Sequence, residues 1–255
     1  MADSKTRQLL AANALPTRRI GFIWPAPVLD VAPYEFYRIA PPPTMMVTVG
    51  VSLGEFSEAE AERVIEPFES LTRQLVDRGA DVVVQSGVPL SVLIGPHKLG
   101  RLLERIERAG GVPALSTVLC VVDNARELGI RSIAFGNKWT KPMNRSLAGF
   151  FAQAGIAVTG VQTRSMTPAE FMKMGTDDSA SAAYELGRSA FEANPGADAL
   201  YLGGGAWLSI AAVLRLEAEF GKPVITNSGS AVRAACKRVG CWEPRVDCGT
   251  VVGLA

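Results

Sequence analysis

Two short stretches hold the residues best suited to chemistry. Ser86-Gly87 and Gly203-Gly204-Gly205 each end an apolar run of strand length that opens on Gly-Ala-Asp, in GADVVVQSGVPLSVLIG from Gly79 and in GADALYLGGGAWL from Gly196. The residues after each stop have helical spacing, so small residues stand where a strand ends and a helix begins, the place where open α/β sheets bind ligands. Such a loop presents free backbone N–H groups and the positive end of a helix dipole, which suits a carboxylate or phosphate. Hydroxyls at Ser86, Ser91, Ser116, Thr117, Ser228 and Ser230 add neutral donors. No G-x-G-x-x-G or Walker pattern is present, and these loops hold only Lys138 and Lys141 as cations. A small carboxylic acid therefore fits better than a dinucleotide or a nucleoside triphosphate. Taken alone, Gly203–Gly205 reads equally as a tight turn that lets a helix pack close to a strand.

The elements that must position these loops are written twice. Arg19–Ile23 resembles Ser132–Gly136, the two Gly-Ala-Asp runs correspond, and Gly111–Thr117 resembles Gly221–Asn227, in the same order at a spacing of roughly 110 to 120 residues. That period is far longer than a solenoid repeat and reads as a duplicated domain. Strands alternate with helices, which predicts parallel sheets joined by right-handed crossovers. The expected fold is α/β: two pseudo-symmetric doubly wound parallel-sheet (flavodoxin-like) domains with the site in the cleft between them. The first half spans 18–130 with a return of 242–255, where Thr250–Val252 is a candidate strand. The second half spans 131–241, and 1–17 is an N-terminal tail. In the first half the spacing predicts a helix over 58–77, a loop at 86–91 and a helix over 98–109; in the second, a loop at 137–142.

Composition bounds the function classes. The chain has 255 residues and a formal charge of +1. Without a long basic run there is no electrostatic footprint for nucleic acid, and no apolar stretch is long enough to cross a bilayer. Residues 1–17 lack the apolar core of a secretory signal, so the cytoplasm is the expected location. The four cysteines form no C-x-x-C pair, and with His97 the sole histidine a Cys/His zinc site is not expected. His97 comes after Gly95-Pro96 and reads as an exposed helix entry.

The order IGFIWPAP, YEFYRIAPP, GADVVV…G, GxPxxS/T and ADALYLGGG resembles the Asp/Glu racemase superfamily, and within it the maleate isomerase and arylmalonate decarboxylase branch. The likeness covers about 19–240 and rests on order and spacing. It implies catalysis without metal or organic cofactor. It also implies a cysteine at the end of the third strand of each half, or in the decarboxylases glycine at the first position and a protonating cysteine at the second. Here the first position falls on Gly87 and the second on Gly204. The donors just after the first position fall on Val88 and Pro89, and the tyrosine after the fifth strand falls on Trp139.

With neither thiol present, another group must move the proton, and the candidates are Lys138, Lys141, Tyr34, Tyr37, Asp177, Asp178 and Ser86. Lys141, beside Trp139, is preferred, since desolvation in a cleft lowers a lysine's pKa, and Trp139 and Ser86, the latter beside Gly87, complete the expected catalytic set. Asp177-Asp178 also reads as a helix cap, and Cys120 as a structural thiol. The expected binding residues are Trp24, Pro25, Gly87, Val88, Pro89, Ser116, Thr117, Gly203, Gly204 and Gly205. Trp24, Trp139 and Trp207 serve either as an apolar wall for a bulky substrate or as filling for the domain interface. The expected activity is a decarboxylase-like lyase on a small, aryl-bearing or similar carboxylic acid. The alternatives are a maleate-type cis–trans isomerase or racemase, a hydrolase or hydratase, and a catalytically silent carboxylate-binding protein. A homo-oligomer is compatible with the sequence.

Overall fold

The computed structural model describes residues 15–26 and 28–255. The tail assigned to 1–17 therefore lies outside the described residues except for its last three. Two four-stranded, all-parallel sheets carry the two halves. The first has the order β2-β1-β3-β4, with β1 Arg18–Trp24, β2 Thr44–Gly50, β3 Val82–Gln85 and β4 Ala114–Ser116. The second has the order β6-β5-β7-β8, with β5 Ser132–Asn137, β6 Ala157–Thr163, β7 Ala199–Gly203 and β8 Val224–Thr226. The identical order confirms the duplication. In both sheets the pair that flanks the candidate loops is central: β1 and β3, β5 and β7. All four positions of β3 and all five of β7 are buried, as strands covered on both faces require.

The helices are α1 Val31–Ile39, α2 Glu58–Ile65, α3 Phe68–Asp77, α4 Val88–Gly110, α5 Thr117–Glu127, α6 Lys141–Gln153, α7 Pro168–Phe171, α8 Thr176–Ala193, α9 Ile210–Phe220 and α10 Asn227–Arg238. Three depart from the sequence reading. The helix expected over 58–77 is two, because Pro67 donates no hydrogen bond and stands at the start of α3. The loop expected at 86–91 is already helical from Val88, since Pro89 occupies the first turn, where an N–H has no intrahelical partner. That helix kinks instead at Gly95 (φ 76°), just before Pro96. The loop expected at 137–142 ends early: Thr140 accepts a hydrogen bond from Met143 N, so Lys141 already belongs to α6. Thr250–Val252 is turn rather than strand and comes after a short 3-10 helix at Val246–Cys248.

The two halves share one interior. Val118, Val121 and Val122 of α5 pack in a cluster that reaches from Ile23 and Val83 of the first sheet to Ile133, Phe135, Tyr201 and Ile225 of the second. Helix α10 crosses the other way: Ala231, Val232, Ala235 and Cys236 cover Ile20, Phe22, Val82 and Val84, joined by Cys248 and Val252 of the C-terminal segment. Each half's last helix thus helps close the other half's sheet, which fixes the cleft between them.

One buried cation ties these helices together. The Arg233 guanidinium of α10 donates to both Glu127 carboxylate oxygens at 2.7 Å, to Asn124 Oδ1 at 2.7 Å and to the Ala255 carbonyl at 2.9 Å. Replacement Arg233→Met leaves three acceptors short of their donors and is expected to destabilise the fold by about 2–3 kcal/mol. Lys237→Met, which removes an exposed ammonium that donates to the Ala255 carbonyl at 2.8 Å and lies 3.9 Å from Glu127, is expected to cost under about 1 kcal/mol. Urea denaturation of both variants checks the order; equal losses would remove Arg233 as the tie.

Candidate active site

A cavity of about 230 Å³ lies between the carboxyl ends of the two sheets. Trp24, Pro25, Ser86, Gly87, Val88, Pro89 and Thr117 line it from the first half. Lys138, Trp139, Gly204, Gly205, Asn227 and Ser228 line it from the second, and Val28, Leu53, Phe56 and Met172 continue an apolar wall towards the mouth. The structure therefore brings together most of the expected residues.

Others stand apart, each for a visible reason. Lys141 is exposed at the first turn of α6 and does not line the cavity, which corrects its placement in the cleft. Ser116 Oγ donates to Gln85 Oε1 at 2.8 Å and Ser91 Oγ donates to the same oxygen at 2.7 Å, so both hydroxyls brace β3 instead of facing a ligand. Tyr34 and Tyr37 are more than half exposed outside the cavity, and Asp177 and Asp178 are exposed in the first turn of α8. His97 is an exposed helix residue beside Arg101. Cys120 is buried, and burial pushes its thiol up to about 12. No group of three or more His, Cys, Asp or Glu among the described residues is placed to hold a metal ion.

The glycine triplet owes its composition to large neighbours. A Cβ on Gly203 would lie 2.7 Å from Trp139 Cζ3, and one on Gly205 would lie 2.9 Å from Trp24 Cζ3. Gly203 therefore sits under the Trp139 ring rather than in the cavity wall. At Gly204 (φ +132°) a Cβ would meet Trp207 Nε1 at 3.2 Å and Lys138 Cε at 3.5 Å. Gly87 (φ +93°) leaves no space either, since a Cβ there would come within 2.4 Å of Pro25 Cγ. Both glycines use backbone conformations that L side chains rarely adopt.

Lys138 is the side chain these constraints converge on. It comes directly after β5, and the turn that carries it is locked by two buried amides. Trp139 N donates to Asn137 Oδ1 at 3.0 Å, while Asn144 Nδ2 donates to Asn137 Oδ1 at 3.1 Å and to the Trp139 carbonyl at 2.9 Å. Nζ donates to the Ala206 carbonyl at 2.8 Å and lies 4.9 Å from the centre of the Trp207 ring. The residue is 1% exposed. Burial pushes its ammonium down to about 7, with the charges of Glu35 and Asp30 opposing.

Sequence reasoning missed Glu35. This carboxylate of α1 is buried and accepts hydrogen bonds from Ser209 Oγ at 3.0 Å, Ile210 N at 2.8 Å and Ser209 N, capping α9 across the cleft floor. Ser228, which lines the cavity, also hydrogen-bonds to it. Burial raises its pKa, and these hydrogen bonds oppose the rise. The signal was in YEFYRI: Val31, Ala32, Glu35, Phe36 and Ile39 form one helical stripe, and only one of them is charged.

Two donors remain for a ligand. Among the described residues, Trp24 Nε1 and Ser86 Oγ are buried without a hydrogen-bond partner, and both residues line the cavity. Such groups are costly unless something accepts from them. The arylmalonate decarboxylase family model matches residues 20–250.

The chain belongs to the arylmalonate decarboxylase family.

A curated relative, the arylmalonate decarboxylase of Bordetella bronchiseptica, is 29% identical over 224 residues, covering 88% of this chain and 91% of that protein. Crystal structures of arylmalonate decarboxylase superpose closely. A doubly substituted form with ligand has a TM-score of 0.82 at 27% identity, covering 92% of this chain and 98% of the other. The unliganded enzyme has 0.81 at 27% identity, covering 94% and 100%. A maleate isomerase from Pseudomonas putida S16, with maleate, shares the fold at a TM-score of 0.80 and 16% identity, covering 92% and 97%. No helix among the described residues is long and apolar enough to cross a membrane.

The buried lysine has a thermodynamic signature. Between pH 7 and the ordinary lysine value of 10.5 the unfolded chain holds a proton that folded Lys138 does not, so stability rises with pH across that window. In Lys138→Met this contribution is gone. The variant is expected to be the more stable protein below pH 7, with its advantage shrinking by roughly 1.4 kcal/mol per pH unit above it. Urea denaturation from pH 6 to 9.5 reads the difference, and a constant offset would show that Lys138 titrates normally.

Proposed function

We propose that the protein is a cofactor-independent decarboxylase of malonic-type acids bearing a bulky apolar substituent, with Lys138 as the proton donor. The observation that carries this reading is the position of Lys138 Cε, 3.5 Å from where a side chain on Gly204 would begin. Family resemblance assigns that position to the protonating cysteine, so the amine stands beside the site of the missing thiol. A general acid works best with a pKa near the operating pH, and burial brings Lys138 to about 7.

The remaining parts have matching roles. One carboxylate accepts from Ser86 Oγ, Trp24 Nε1 and the first-turn N–H groups of α4, whose positive end opens on the cavity at Gly87-Val88. The hydrocarbon group lies against Trp139, Leu53 and Phe56. The other carboxylate, directed into apolar surroundings, loses solvation and leaves as carbon dioxide. Its electron pair passes into an enediolate held by the same donors. Lys138 then protonates the carbon from the Gly204 side. Racemisation or isomerisation by the family's paired thiols needs a second group on the opposite face. At Gly87 a Cβ would collide with Pro25, so the geometry favours decarboxylation with delivery from one face.

Proton NMR in deuterium oxide with 2-methyl-2-phenylmalonate tests the reading. Expected are loss of one carboxylate, a single deuterium at the α-carbon and one enantiomer in excess. Since the donor must be protonated, turnover is expected to fall about tenfold per pH unit above pH 7, and Lys138→Met to lose about 100-fold or more. Tight binding without turnover would instead favour a carboxylate-binding protein, and unchanged activity in Lys138→Met would remove the lysine from the chemistry.

A further inference from the structure

An amine does something in this cleft that a thiol acid does not. A neutral primary amine adds to a ketone and expels water, and a lysine desolvated in an apolar pocket is suited to this because much of it is uncharged near neutrality. Lys138 Nζ is held at the cavity wall by the Ala206 carbonyl, on a turn locked by Asn137 and Asn144. Gly204 leaves its flank clear of a side chain. The hydroxyl of Ser228, also at the wall, hydrogen-bonds to the Glu35 carboxyl group. A ketone, the amine and a hydroxyl can therefore meet at one place.

We propose that Lys138 also acts as a nucleophile, and that the protein decarboxylates 3-oxo carboxylic acids with an apolar or aryl substituent through an imine on Nζ. This rests on the decarboxylase reading only in placing the reacting carbon beside Lys138. The neutral amine forms a C–N bond to the ketone carbon, and the proton the nitrogen gives up passes to the former carbonyl oxygen to give a carbinolamine. A second proton on that oxygen lets water leave and yields a protonated imine. The bond to the carboxylate carbon then breaks, carbon dioxide departs, and the electron pair moves into the enamine, neutralising the nitrogen. The enamine carbon takes a proton, and water hydrolyses the resulting iminium to a ketone and the regenerated lysine. The net change is one proton consumed and one carbon dioxide released, with no redox partner.

The charged groups that act on Lys138 are Glu35 of α1 and Asp30, which caps that helix; both favour its protonated form, and burial overrides them. Imine formation needs the neutral amine, so the 3-oxo acid reaction is expected to speed up as pH rises through about 7. That limb is opposite to the one expected for a malonate.

The experiment is reductive trapping of the full chain with 3-oxo-3-phenylpropanoate and sodium cyanoborohydride, then peptide mass mapping. Expected is one adduct, on the peptide that carries Lys138, with loss of activity in step with labelling. Oxygen-18 exchange from water into acetophenone, which needs an imine but no decarboxylation, should be catalysed as well. Lys138→Arg, with Lys138→Met as a second variant in case the guanidinium disrupts the fold, should abolish the adduct and reduce both reactions about 100-fold. Unlabelled wild-type protein, or labelling spread over exposed lysines such as Lys141 and Lys173, overturns the inference. Labelling at Lys138 without turnover of 2-methyl-2-phenylmalonate would uphold it while defeating the malonate reading. Malonate turnover without labelling would do the reverse.

Discussion

The cleft depends on the desolvation of a single ammonium. Lys138 sits between two sheets, 1% exposed, beside Trp207 and within the field of Glu35 and Asp30. Taking a cation from water is expensive, and near neutrality the protein avoids much of that expense by letting the amine lose its proton. The surroundings make that outcome robust. Trp139 and Trp207 are buried and Trp24 is half-buried, the Asn137–Asn144 amides hold the backbone of the turn, and the Ala206 carbonyl accepts from Nζ. A more exposed lysine, such as Lys141 three residues on, has none of this.

The same requirement accounts for the glycines. Three large rings approach the end of β7 closely, and side chains at Gly203, Gly204 and Gly205 would each meet one of them or Lys138 itself. A plain tight turn would have asked for one glycine at a positive φ. Here Gly203 and Gly205 have ordinary φ values and are small because of what lies above them, while Gly204 alone has the unusual backbone. Glu35 completes the arrangement from below by satisfying the N–H groups at the start of α9, which fixes where the glycine segment ends.

Architecture was legible because it is written in periodicity. Two Gly-Ala-Asp runs, two G-x-P strands and the spacing between them suffice to define two parallel sheets and the edges that meet. The site was legible only where identity came from that scaffold: Trp24, Ser86, Gly87 and Gly204 stand at strand ends, and strand ends define the cleft. Lys138 and Lys141 could not be separated in this way, because three residues decide between the end of a strand and the first turn of a helix. The deciding contact is the weak cap from Thr140 to Met143. Ser91 and Ser116 misled for a similar reason: whether a hydroxyl faces a ligand or braces a strand depends on Gln85, whose role emerges only in three dimensions. Glu35 was hidden by habit, since a glutamate in an amphipathic helix is ordinarily solvated.

The glycines at the strand ends and the buried amine share one crowded space. A side chain on Gly204 would start in ordinary contact with Lys138 Cε, at 3.5 Å, and tight against Trp207 Nε1, at 3.2 Å, so the ring is the neighbour that would have to give. At Gly87 the competitor is Pro25, which a Cβ would approach to 2.4 Å. With both glycines in left-handed conformations, substitution to cysteine would face backbone strain at either position, and collision as well at Gly87. In the reading proposed above, the acid or nucleophile therefore arrives from the end of β5 rather than from β3 or β7. Within one α/β scaffold, chemistry can pass from one strand end to another because all these ends open on the same cavity.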